Sequence, residues 1–174
     1  MNRIIKIILS DILKNKIVLA FTLILAILSW SSFALEDNSS KGLLTILNVI
    51  LFTVPLVSIL FATIYLYNSS EFIELLLSQP IKRVKIWMSL FIGLSTSMVI
   101  AFLIGAGIPL LIYSPNAVGF MMISVGSIIS IVFVALAFLS SIVTRDKAKG
   151  IGIAIMIWLF FALLFDGLVL FLLF

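Results

Sequence analysis

Neither cysteine nor histidine occurs anywhere in the 174 residues. Their absence removes disulfides, thiolate and imidazole metal ligands, cysteine-attached haem and histidine acid–base chemistry. Charge is scarce as well. Only 10% of the residues are Asp, Glu, Lys or Arg against 64% apolar ones, a balance foreign to soluble domains. No G-x-x-x-x-G-K-[ST] run is present, so the chain holds no nucleotide in a P-loop. No G-x-S-x-G run is present either, and Ser127 has no base to activate it. These absences argue against an enzyme, and no metal or cofactor is expected on this chain itself. The ten-residue alternating segments of a transmembrane barrel are missing too.

What the sequence does have is apolar length. Runs long enough to cross a bilayer recur at about 17–35, 43–67, 86–113, 117–143 and 151–174. The expected fold is therefore all-α: a polytopic helical membrane protein of about five transmembrane helices in a single domain, 1–174. The first apolar run has a small-x-small end at Ser32-Phe33-Ala34, but the long amphipathic region before it favours a retained span over a cleaved signal. Residues 3–16 form that region. Arg3, Lys6, Ser10 and Lys14 recur at intervals of three and four among isoleucines and leucines, the pattern of a helix lying in the headgroup layer.

The net charge of +4 is not a nucleic-acid signal, because the basic residues flank spans. Arg3, Lys6, Lys14 and Lys16, then Lys82, Arg83 and Lys85, then Arg145, Lys147 and Lys149 all fall on one side of the five-span arrangement. Lys41 alone falls on the other. The positive-inside rule places the first side, and the N-terminus, in the cytoplasm.

Between the second and third spans lies the one extended amphipathic stretch, 70–83. Glu71, Glu74 and Ser78 are spaced to form a polar stripe on a helix, while Phe72, Ile73, Leu75, Leu76 and Leu77 cover the rest. Pro80 cannot continue the helix and disfavours helical geometry at Gln79, so an end near Ser78 is expected. Such a helix suits docking on a soluble partner; a plain connector between two spans is the alternative. Inside the spans, Asn48 reads as a helix-to-helix hydrogen-bonding group or a substrate contact. Pro55 interrupts the second span's hydrogen bonding. Asp166 lies about 22 Å along the last span, where a carboxylate must face protein or water rather than lipid. It reads either as a substrate-path or proton-coupling group or as a packing residue. Gly119, Gly126, Ser124, Ser127 and Ser130 suggest a packed face on the fourth span.

Taken together, Glu71-x-x-Glu74-Leu75-Leu76-Leu77-Ser78-Gln79-Pro80-Ile81-x-Arg83 resembles the cytoplasmic coupling motif of type-2 ATP-binding-cassette permeases. Leu47-Asn48-Val49 with Val54-Pro55-Leu56 is similar to the NosY-type branch of that family. So is Thr144-Arg145-Asp146-Lys147-Ala148-Lys149-Gly150 leading to Trp158 and Phe165-Asp166-Gly167. The resemblance implies a six-span permease in a bacterial inner membrane working as a homodimer. ATP and Mg would be bound by a separate cytoplasmic ATPase subunit docked on the coupling helix, and a periplasmic β-helix protein would cap the outer side. The implied cargo is a copper- or sulfur-related species for the copper site of nitrous oxide reductase. The resemblance also implies a docking role for Glu71, Phe72, Glu74, Leu75, Leu76, Leu77, Gln79, Pro80 and Arg83, with a second cytoplasmic contact at Arg145, Asp146 and Lys147. Against six implied spans, five apolar runs leave the chain short of the last. A membrane scaffold that recruits a soluble partner without transport is the rival reading.

Overall fold

A computed structural model describes residues 2–35, 39–78, 82–144 and 146–165. The described residues are almost wholly helical. Helix α1 is Asn2–Leu13, α2 is Lys16–Leu35, α3 is Ser39–Asn68 and α4 is Ser70–Leu77. Helix α5, Arg83–Phe102, passes through a π-helical stretch, Leu103–Gly107, into α6, Ile108–Tyr113. Helix α7 is Ala117–Val143, and α8, Lys147–Leu159, ends in a second π-helical stretch, Phe160–Phe165.

Four segments of the described residues are long and apolar enough to cross a membrane: Lys16–Ala34, Lys41–Asn68, Arg83–Tyr113 and Ala117–Val143. They coincide with the first four expected spans. The fifth, 151–174, is helical up to Phe165, and its remainder lies outside the described residues. Ser39, Ser40, Lys41 and Gly42, which lie between the first two apolar runs, already form the first turn of α3.

Helix α3 runs unbroken through Pro55 for 30 residues, about 45 Å at the usual rise and well beyond a hydrocarbon core of about 30 Å. Pro55 removes the donor that would reach the Leu51 carbonyl. In the same turn the Trp158 indole Nε1 donates to the Phe52 carbonyl at 3.3 Å. The first π-helical stretch has a similar local cause. Pro109 crowds the carbonyl four residues earlier, and a register shift over Leu103–Gly107 absorbs the conflict.

Packing centres on α7, which lies between α3 and α5; α8 closes against α3 and α7. Its buried face runs through Gly119, Met122, Gly126, Ser130, Phe133, Val134, Ala137 and Ser140. Gly126 is required there, since a Cβ would collide with the Phe102 ring of α5. Ser124, expected on this face, is exposed instead, because the packed seam steps by three and four from Gly119 and passes it by. Helix α1 is more deeply engaged than a headgroup helix. Ile8 and Ile12 are fully buried, and α1 packs along α5.

Candidate functional site

Helix α4 starts almost without a break from α3. The Ser69 amide donates to the Tyr65 carbonyl at 2.9 Å, and the Ile73 amide donates to the Ser69 carbonyl at 2.9 Å. One continuous hydrogen-bonded path thus leads from the span into the short helix. Ile73 is turned inward and is 7% exposed. It is the anchor of α4, which touches α3 and α5. Around it Glu71, Phe72, Glu74 and Leu75 are exposed, Leu75 at 67%. The helix stops as the proline rule requires: the Ser78 hydroxyl donates to the Leu75 carbonyl at 2.8 Å and closes the last turn. Leu76 and Leu77 belong to the helix, but their side chains lie outside the described set, as do Gln79 and Pro80. Arg83 is the first residue of α5 and is exposed.

The α7–α8 junction is fastened to the root of α4. The Tyr67 hydroxyl donates to the Thr144 carbonyl at 2.8 Å, and the Lys147 ammonium donates to Asn68 Oδ1 at 2.8 Å. Asp146 caps α8 by accepting from the Ala148 amide at 2.9 Å, while its own amide donates to Thr144 Oγ1 at 3.1 Å. Gly150 lies hard against the Tyr67 ring, so that a Cβ there would overlap it. Arg145 is outside the described residues. Sequence reasoning grouped Asp146 and Lys147 as a separate contact. The geometry joins Lys147 and the neighbouring Thr144 to α3 through Asn68 and Tyr67, two residues which that reasoning did not single out. The one local signal was the Asp-x-Ala pattern of an N-cap. A third tie lies on the same side, where the Tyr65 hydroxyl donates to Asp11 Oδ2 of α1 at 3.2 Å.

Within the membrane, Asn48 is exposed and lines a cavity of about 630 Å³ between α3, α7 and α8, together with Phe52, Pro55, Phe133, Trp158 and Phe161. The Phe52 and Trp158 rings meet edge-on with centroids 4.8 Å apart. The cavity wall is thus aromatic with a single carboxamide, and no charged side chain lines it. Asp166 lies outside the described residues. Among the described residues no cluster of acidic side chains is placed to hold a metal ion.

A short amphipathic helix thus hangs directly from one span and leads into the next, and the α7–α8 junction is bonded to the end of the span it hangs from. The chain is 29% identical over 180 residues to the probable ABC transporter permease protein NosY of Stutzerimonas stutzeri, and 28% identical over 179 residues to the protein of that name in Pseudomonas aeruginosa. Each alignment covers 91% of this chain and 65% of the relative, so the chain spans about two-thirds of the relatives' length. The family model of the ABC-2 family transporter proteins matches residues 49–173, from within α3 through α4 and the later helices, and the chain belongs to that family.

Proposed function

We propose that this chain is the membrane-spanning permease subunit of a type-2 ATP-binding-cassette transporter of the NosY type, driven by a separate cytoplasmic ATPase that binds α4. The observation that carries the reading is α4 itself, with Ile73 holding it to the bundle while Glu71, Phe72, Glu74 and Leu75 face outward. Phe72 and Leu75 supply apolar docking area. Glu71 and Glu74 fix orientation through basic residues of the ATPase, and exposed charge of this kind sets register and specificity more than affinity.

ATP and Mg act on the partner. When two ATPases close, each pushes the α4 of one protomer in a homodimer, and the hydrogen-bonded path through Ser69 carries the push into α3. The Tyr67–Thr144 and Asn68–Lys147 bonds hand it on to α8. The cavity beside Asn48 lies between α3, α7 and α8, so relative movement of those helices changes its shape. A partner drives such a change only as far as it binds the two states with different free energy. Reversing an equilibrium from about 1:99 to about 99:1 takes about 5.5 kcal/mol, shared in a dimer by two docked helices. The N-terminus and α4 lie on the cytoplasmic side of the bacterial inner membrane. A periplasmic β-helix protein caps the other side, and the cargo is a copper- or sulfur-related species. The likeness to the NosY proteins supports these last assignments.

Glu74→Lys tests the docking. The variant is expected to insert in the membrane at normal level and to lose co-purification of the ATPase. Undiminished co-purification would refute the role of α4. Retained co-purification with no ATP-dependent change in the accessibility of a cysteine introduced beside Asn48 would leave a scaffold that transports nothing.

A further inference from the structure

Where α5 enters the bilayer, a groove of about 380 Å³ runs between α5 and α7, outside both the docking face of α4 and the cavity beside Asn48. Arg83 stands at its mouth, Trp87, Met88 and Phe91 form one wall, and Ala135 and Phe138 of α7 form the other. Phe138 is held edge-on by both aromatic neighbours, with ring centroids 5.9 Å from Trp87 and 5.7 Å from Phe91. From Arg83 to Phe91 the helix descends eight residues, about 12 Å, so the groove starts at the polar boundary and ends within the acyl layer.

Charge at the mouth is all of one sign. Lys82, Arg83 and Lys85 are exposed, and the first turn of α5 carries no carboxylate. Among the described residues none of the three forms an ion pair, whether with Glu71 and Glu74 of the neighbouring α4 or with another acid. A forked cation above an aromatic-walled apolar slot matches a molecule with a phosphate at one end and a hydrocarbon chain at the other. Arg is the side chain best shaped for a phosphate, and aromatic rings at this depth pack against the first carbons of an acyl chain. We infer that this groove is a binding site for an anionic phospholipid of the leaflet facing the basic clusters, with Arg83 on the phosphate and Trp87, Phe91 and Phe138 along one chain. A headgroup carrying its own cation gains less, because that cation meets Lys82 and Lys85. The site does not depend on the identity of any cargo or ATPase. A lipid seated there bridges α5 and α7.

The test is native mass spectrometry of the full chain, released from detergent with equal amounts of phosphatidylglycerol and phosphatidylcholine of identical acyl chains. Phosphatidylglycerol is expected to be retained preferentially. Arg83→Gln should lower that preference about fivefold, the effect of one basic side chain at an anionic surface. Ala135→Trp leaves every charge in place and fills the slot from an exposed position, and it should abolish retention; circular dichroism checks that both variants stay helical. Equal retention of the two lipids, or an undiminished preference in both variants, would overturn the proposal. Displacement of the lipid by millimolar inorganic phosphate would overturn it too, by reducing the site to a free-anion site. So would disulfide capture of a second copy through Met88→Cys in phosphatidylglycerol vesicles, which would make the groove a dimer contact.

Discussion

Over their most apolar stretches α2 and the α5–α6 segment have mean hydropathies of 2.2 and 2.1, yet 22% of the first and 56% of the second is buried. Small residues occur in both, but of its own α2 buries only Ser29 and Ser32, near its C-terminal end. Helix α5 buries Ser89, Gly93, Ser95 and Ser97 beside Leu90, Leu94 and Met98, whereas α2 exposes Leu19, Leu23, Ile24 and Ile27. In lipid, apolarity reports only that a helix dissolves in the bilayer. Close approach of backbones, which small residues permit, decides which helix is surrounded by protein. Hydrogen bonding is the lesser part of it. The buried hydroxyls of Ser58, Ser89 and Ser95 have no hydrogen-bond partner among the described residues, and the Ser97 hydroxyl donates back to the Gly93 carbonyl of its own helix. Size explains their placement.

The comparison breaks most visibly at the α5–α7 seam. Gly126→Leu drives a side chain into Phe102 and is expected to cost about 3 kcal/mol, the upper end for overpacking. Leu23→Ala on the lipid face of α2 should stay within about 0.5 kcal/mol. Unfolding in mixed micelles followed by circular dichroism measures both, and equal losses would erase the distinction between the two helices. A smaller effect separates two glycines two residues apart, on opposite faces near the start of α8. Gly150→Ala meets the Tyr67 ring and should cost about 1–2 kcal/mol. Gly152→Ala meets nothing within 4 Å and should gain up to about 1 kcal/mol from helix propensity. If the two behave alike in the same assay, the close contact of α8 with α3 is not what holds that end together. The smallest effect lies in the bundle interior, where Thr63 Oγ1 and Ser140 Oγ are 3.2 Å apart and fully buried. A double-mutant cycle with Thr63→Val and Ser140→Ala should give a coupling of about 0.6 kcal/mol. A value above about 2 kcal/mol would mean that hydrogen bonding, not size, orders this core.

Much of the site was legible before the structure. The end of α4 at Ser78 follows from a proline two residues on, and its polar stripe from a spacing of three and four; both are local rules. Ile73 as the anchor was hidden among four apolar neighbours, because a helix apolar over most of its surface gives periodicity too little contrast to choose the inward side. Lys147 was misleading for another reason. A lysine in a charged loop reads as a contact for a partner, and its hydrogen bond to Asn68 spans 79 residues of sequence.

By itself the sequence determined the limits of four helices long and apolar enough to cross a membrane and the presence of a short helix between the second and third of them. Hydropathy, charge count and proline act within a few residues, and the bilayer enforces them whatever the neighbours do. The tertiary structure alone decided that α5 and not α2 lies among its neighbours, that α1 buries Ile8 and Ile12 against α5, and that Tyr67 and Asn68 clasp the α7–α8 junction. Those outcomes depend on which surfaces fit at close range between segments far apart in the chain. Lipid, being as apolar as leucine, gives one helix no solvent-driven reason to prefer another.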